Sequence, residues 1–322
     1  MPDQERASLD RCTRAGSQAV PWVDIDHTAL AAFARRSLSA SPRPFLRWAG
    51  SKRRLLPQLV AALPKRFRVY HEPFLGGGSL FFLLRPPLAR LGDSCLELIR
   101  TYEAVSENPA AVLRHLSSFP VDRDSYYSIR ANLSSGRFKR AAQFIYLNKV
   151  GWNGLYRVNS KGGFNVPYGA PKTDNVIDRE NLLRCASALA GGGIELTHAD
   201  FTDALAGVRA GDLVFLDPPY VTRHNDNGFI DYNERLFSWT DQERLATEAK
   251  RLSRIGATVI VTNAFHDEVL ELFPDFERAE VTRSSTIASS TRARGQVAEA
   301  ILVSKAAVTQ TNKASIADRG HK

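Results

Sequence analysis

Apolar positions along this chain fall into short dense runs separated by stretches with helical spacing. "LVFL" (213–216), "ATVIVTN" (257–263), "EAILVSK" (299–305) and the approach "VYHEPF" (69–74) have the length and composition of buried strands. Between two of them, "SWTDQERLATEAKRLSRIG" (238–256) predicts a helix, opened by Thr240 with Glu243 in capping-box position and closed by Gly256. Strands alternating with helices predict an α/β fold around a parallel sheet. From 96 to 178 no run of the strand kind occurs, and "AAQFIYLNKV" (141–150) reads as a helix with a buried stripe. A mostly helical insertion over 96–178 is therefore expected, splitting a sheet domain into 44–95 and 179–305. Residues 1–43 carry one short helical pattern, "DHTALAAFARR", before the proline-containing "SPRP", and predict a loosely attached, flexible extension. The polar segment 306–322 predicts a fraying tail, and no internal repeat is present.

With 322 residues, 43% of them hydrophobic, the chain has ample material for a core. No apolar run approaches the ~18 residues of a membrane span, and the N-terminus lacks a signal-peptide pattern, so a cytoplasmic protein without membrane contact is expected. Cys12, Cys95 and Cys185 form no CxxC pair, which predicts neither a disulfide framework nor a metal site. The formal charge of +9 favours a polyanionic partner. Its distribution sharpens this: Arg130, Arg137, Lys139, Arg140, Lys149, Arg157, Lys161 and Lys172 lie in a window, 130–173, that contains no acid. Phe138, Phe144, Tyr146, Trp152, Tyr156, Phe164 and Tyr168 are interleaved with them. Basic residues among aromatics are the pattern of a nucleic-acid surface, some of the aromatics being core.

Three features carry candidate chemistry. The run 213–216 ends abruptly at Asp217, Pro218, Pro219 and Tyr220. Each proline fixes φ and lacks an N–H, so the ladder stops and one carboxylate stands on a stiff support at the carboxyl end of a strand. In "EPFLGGGSLF", Gly76, Gly77 and Gly78 allow a tight turn and close approach to a ligand. The loop lacks the P-loop Lys-Ser/Thr ending, and Phe81 stands where GxGxxG needs its third glycine. Asp93, seventeen residues beyond Gly76, is placed where the second strand of such a unit offers an acid to ribose hydroxyls. A glycine loop with a ribose acid and no phosphate binder suits a nucleoside such as S-adenosylmethionine.

"FLRWAGSKRRLLP" (45–57), "EPFLGGGSLFF" (72–82), "NGLYRVNSKGGFNVPYG" (153–169) and "DPPY" (217–220), in this order, resemble the DNA adenine-N6 methyltransferases of the Dam (D12 class) family. "VTRSSTIASSTRARGQVAEAILVSK" is similar to that family's closing strands, so the resemblance spans roughly 44–305. It implies a Rossmann-like S-adenosylmethionine-dependent methyltransferase sheet with an inserted, mostly helical target-recognition domain. It also implies cofactor contacts by Trp48, Lys52, Asp93 and Asp217, with Glu72, Phe74, Gly76 and Gly78 in the glycine-loop motif. The sequence departs from the family pattern at Ser51, where a glycine is usual, at Asp93-Ser94-Cys95 in place of Asp-Ile-Asn, and at His71 in place of an aliphatic residue.

The resemblance implies methyl transfer to adenine N6 in double-stranded DNA, with GATC the family's usual target. The exocyclic nitrogen is a poor nucleophile because its lone pair is conjugated with the ring. Asp217 and the Pro218 carbonyl would accept its two N–H bonds, and Tyr220 would stack on the extruded base. Asn153, Leu155, Arg157 and Pro167 become candidates for base-edge contact, and Arg137, Lys139 and Arg140 candidates for phosphate. A companion restriction endonuclease is the one protein partner the resemblance admits. A catalytically silent DNA-binding module, or a methyltransferase acting on RNA or protein, stands as the alternative; the intact Asp217-Pro218-Pro219-Tyr220 argues against the first.

Overall fold

The computed structural model describes residues 20–35, 41–159, 162–173, 177–221, 237–284 and 296–305. The first strand, β1 (Val23–Asp24), pairs antiparallel with β2 (Arg66–Phe67), and between them lie α1 (His27–Arg35) and α2 (Leu56–Ala62). Then come β3 (Tyr70–Glu72), α3 (Ser79–Leu84) and β4 (Ala89–Asp93). Helices α4 (Leu96–Glu107), α5 (Pro109–Ser117), α6 (Arg123–Ala131), α7 (Arg137–Val150) and α8 (Arg179–Leu189) follow, with a single 3-10 turn, Trp152–Gly154, among the described residues between the last two. The remainder is β5 (Ile194–His198), α9 (Phe201–Ala204), β6 (Leu213–Leu216), α10 (Trp239–Arg254), β7 (Thr258–Ala264), α11 (Asp267–Glu271), β8 (Phe276–Ser284) and β9 (Gln296–Ser304).

Seven strands form one sheet in the order β5-β4-β3-β6-β7-β9-β8. The first five are parallel, and β9 runs antiparallel between β7 and β8. Strands β6, β7 and β9 read as continuous apolar runs because both faces are covered. Leu213, Phe215, Ile260, Ile301 and Val303 pack on one side, Val214, Leu216, Val259, Val261 and Leu302 on the other. The first side also holds α2, α3, α4, α5, α7 and α8, so the helices expected to form an insertion share one apolar cluster with the sheet. The second is covered by α10 and α11.

The chain builds outward from β3 through β4 to β5, then returns to lay β6 on the other side of β3. That reversal opens a crevice beyond the carboxyl ends of β3 and β6, the position where open α/β sheets take their ligands. His71 ties the same two strands together with a buried ring nitrogen 3.1 Å from Asp212 Oδ2.

Two local expectations need correction. Residues 20–35 are not a loose extension: the His27 ring nitrogens lie 3.1 and 3.2 Å from the Val60 and Pro64 carbonyls, and Trp22 is flanked by the guanidiniums of Arg66 and Arg68. Residues 1–19, 36–40 and 306–322 lie outside the described residues. Helix α10 starts earlier than expected. Its cap is Ser238, in a reciprocal capping box with Asp241, while Glu243 accepts from the Trp239 indole. Ser238 and Thr240 both present a hydroxyl three residues before an acid, and the apolar anchoring of Phe237 selects the earlier one. Gly256 does follow the helix end with φ +92°.

Candidate active site

One cavity of about 400 Å³ sits at the crevice, and it gathers every residue assigned from sequence to catalysis or cofactor binding. Trp48 and Lys52 enter from the segment before α2, Glu72 and Phe74 from the end of β3, and Gly76 and Gly78 from the turn into α3. Asp93 comes from the tip of β4, and Asp217, Pro218, Pro219 and Tyr220 from the tip of β6. Gly76 takes φ +47° with its Cα against Trp48, where a Cβ would lie 2.7 Å from Cδ1, and Gly78 takes φ +65°. Both positions therefore select glycine.

The polar groups are arranged with little slack. Asp93 accepts a backbone N–H on each oxygen, from Gly76 and Cys95, both at 2.9 Å. Burial pushes its carboxyl up to about 6 against those bonds. Glu72 is buried and accepts from the Tyr70 hydroxyl at 2.9 Å; burial dominates and pushes it up to about 8. Asp217 accepts from Thr262 Oγ1 at 2.6 Å and pairs with Lys52 Nζ at 2.7 Å. Both contacts fall on Oδ1. Burial raises the Asp217 carboxyl, while Lys52 and Thr262 oppose the shift. Lys52, a cofactor contact by resemblance, directs its ammonium at the carboxylate and at the Gly50 carbonyl, 2.6 Å away. It also lies 4.8 Å from the centroid of Tyr220.

Several residues at or beside the cavity were not anticipated. Thr262 on β7 and Glu299 on β9 hold the two ends of the Asp217–Tyr220 tetrapeptide, with the Tyr220 hydroxyl donating to Glu299 Oε2 at 2.9 Å. Thr262 is the one hydroxyl inside the apolar run "VIVT", a signal available to a reading that placed β7 beside β6. Tyr156 and Val158 line the cavity from the segment "NGLYRVNSKG", and Tyr156 stacks on Trp48 with centroids 5.6 Å apart and planes at 18°.

The candidate DNA contacts lie outside the cavity. Antiparallel bridges Gly151–Tyr168 and Val158–Phe164 lay 151–158 against 164–168. Arg157 is exposed there, its Nε donating to Asn165 Oδ1 at 2.8 Å. Asn153 and Pro167 are exposed, Asn153 in the left-handed region at φ +55°, and Leu155 is half-buried. The phosphate candidates divide. Arg137 pairs with Glu103 and Glu107, and Arg140 with Glu97 at 2.7 Å, so both guanidiniums clamp α7 to α4. Lys139 is exposed. The basic–aromatic window is likewise part core: Phe144 and Tyr146 are buried, and burial with nearby Arg47 pushes Lys149 down to about 8. Lys161 lies outside the described residues.

No helix among the described residues is long and apolar enough to cross a membrane, and no group of three or more His, Cys, Asp or Glu among them is placed to hold a metal. The sequence profile of the D12 class N6 adenine-specific DNA methyltransferases matches residues 48–287. The Type II methyltransferase M1.LlaDCHI of Lactococcus lactis subsp. cremoris is 34% identical over 268 residues, covering 81% of this chain and 94% of that protein. A DNA adenine methylase of Haemophilus influenzae is 31% identical over 271 residues, covering 81% and 93%. Type II methyltransferase M.MjaIII of Methanocaldococcus jannaschii is 34% identical over 247 residues, covering 70% and 85%. The match spans the glycine loop, the segment holding Arg157 and the Asp217–Tyr220 tetrapeptide, and this chain belongs to the D12 class of N6 adenine-specific DNA methyltransferases.

Proposed function

We propose that the cavity binds S-adenosylmethionine beside an adenine turned out of duplex DNA, and that Asp217, Pro218 and Tyr220 receive that adenine. The carrying observation is the convergence of Asp217 and Tyr220 with Glu72 and Asp93 in one crevice. The residues present fit this cofactor. Five acidic residues, Glu72, Asp93, Asp200, Asp217 and Asp241, line the cavity beside one ammonium, Lys52. A cationic ligand favours the charged forms of Glu72 and Asp93, whose carboxyls burial has raised. Asp93 keeps lone pairs for a diol beyond its two backbone bonds, and the glycine loop lets the backbone approach. When bound, S-adenosylmethionine supplies the electrophilic methyl group.

The chain's own groups then act on the base. Asp217 Oδ1 is occupied by Thr262 and Lys52, and among the described residues nothing donates to Oδ2. Oδ2 and the Pro218 carbonyl accept the two N–H bonds of the amino group, which favours the pyramidal form with a directed lone pair. Two prolines keep both acceptors fixed, so little reorganisation precedes reaction. Asp217 acts as an acceptor, because the N6 proton turns acidic only as the new bond forms. The Tyr220 ring offers the stacking face. Outside the cavity, Arg157 reads a base edge, with Asn153, Leu155 and Pro167 beside it. Lys139 holds phosphate rather than Arg137 and Arg140, whose charges are already paired.

The type II methyltransferases among the relatives support a cognate restriction endonuclease as partner, and such a pair works in the cytoplasm. Transfer of labelled methyl from S-adenosylmethionine to duplex DNA, with N6-methyladenine identified in the digest, tests the whole reading. Label in RNA or protein but not in DNA refutes it.

A further inference from the structure

We propose that Glu299 is a positioning residue for the target base: its buried carboxylate holds the Tyr220 hydroxyl and so sets the plane of the ring on which the adenine stacks. This rests on the function proposed above. Glu299 lies on β9, opposite Ala264 of β7 and Val281 of β8, and is 1% exposed. A carboxylate inside a sheet layer is expensive unless hydrogen-bonded, so its presence calls for a partner. The Tyr220 hydroxyl donates to Oε2 at 2.9 Å. Glu299 does not line the cavity, so it acts through Tyr220 rather than by touching cofactor or base.

The geometry explains why such a tether is useful. Pro218 and Pro219 fix the backbone up to Tyr220, yet they leave the two side-chain torsions of the tyrosine free. Holding the hydroxyl fixes the ring axis and so the first torsion. Because a phenolic O–H lies in the plane of its ring, donation to a fixed acceptor holds the second torsion and the ring plane as well. Thr262 does the same for Asp217 from the adjacent strand, at 2.6 Å. Neighbouring strands thus pin both ends of the tetrapeptide, and the acceptor and the stacking face keep a constant relation. The antiparallel β9, inserted between β7 and β8, brings the second pin into the sheet.

The test is a double-mutant cycle on the full chain: Glu299→Ala, Tyr220→Phe and the two combined. Single-turnover methylation is measured beside cofactor affinity by calorimetry and the fluorescence of a duplex carrying 2-aminopurine at the target position. Each single variant is expected to slow transfer about 10-fold, the scale of one hydrogen bond to a charged group. The double variant should also be about 10-fold slow, because both changes break the same link. Cofactor affinity should stay within about 2-fold, while the 2-aminopurine signal, which reports the stacked state of the extruded base, changes alike in all three. Glu299→Gln keeps an acceptor and should lie within about 3-fold of the unmodified chain. A double variant about 100-fold slow, the product of independent effects, would overturn the proposal. Should Glu299→Ala fail to fold, Tyr220→Phe decides with Glu299→Gln: an unchanged rate in the first, or a loss in the second as large as that of Tyr220→Phe, overturns it. An unmodified chain that methylates no DNA refutes the reaction itself, whereas an active chain with multiplicative variants refutes only the role of Glu299.

Discussion

Asp217→Asn separates the two jobs that the structure gives this carboxylate. An asparagine keeps a carbonyl where Oδ1 meets Thr262 and Lys52, and it places an NH₂ where Oδ2 would accept from the adenine. Donor then faces donor, leaving the Pro218 carbonyl as the one acceptor. Loss of one preorganised group of this kind costs about 10²- to 10³-fold in rate. Stability should suffer as well, because the side chains of Lys52 and Asp217 are only 5% and 18% exposed. Breaking a buried pair outright costs ~3–5 kcal/mol. The retained amide bond softens this, so a loss of about 2–3 kcal/mol, or roughly 3–6 °C in Tm, is expected for a domain of this size. Single-turnover methylation with enzyme in excess reads the first effect, and differential scanning calorimetry the second. Replacing Lys52 by Met in the same variant removes the stranded ammonium, and should recover most of the Tm with none of the rate. Retention of more than half the unmodified rate by Asp217→Asn, or recovery of rate in the double variant, would refute the reasoning.

Asp93→Ala should weaken cofactor binding by ~1.5–3 kcal/mol in calorimetry and leave DNA affinity unchanged; equal affinity would place the ribose acid elsewhere. Arg157→Ala should lose ~1–3 kcal/mol of preference at one base of the site, while Lys139→Ala weakens all sequences alike and lowers the salt slope by about one. A methylation assay over every single-base variant, run beside a salt titration, distinguishes the two. Glu72 gives a pH dependence whose sign follows from its carboxyl being raised from an ordinary 4.5 to about 8 by burial. The folded state then binds a proton that the unfolded chain releases between those values, so the empty protein gains stability as pH falls from 8 toward 5, by at most about 1.4 kcal/mol per pH unit. Glu72→Gln should flatten that slope in a melting series, and an unchanged slope would assign it to other groups.

What the sequence made legible here, and what it hid, divides by how far apart the interacting residues lie. Strands β6, β7 and β9 were readable because burial on both faces leaves unbroken apolar runs. β5 and β8 were not, since they form the two edges of the sheet. "IELTH" and "FERAEVTRS" alternate with charged and polar residues that meet solvent, and they read as loop unless a period of two is sought. The cavity was legible because its glycines, its prolines and Asp217 do their work within a few residues of chain. The links between motifs were not. Glu97 lies 43 residues before Arg140, so a charge count over 130–173 took a helix clamp for part of a phosphate surface. Lys52 and Asp217 are brought together by the reversal of strand order between β3 and β6, and Thr262 and Glu299 reach the tetrapeptide because β7 and β9 lie beyond β6. Strand order is a property of crossover connections rather than of any window of residues. A motif reading therefore names the groups that do the chemistry, and it misses those that hold them still.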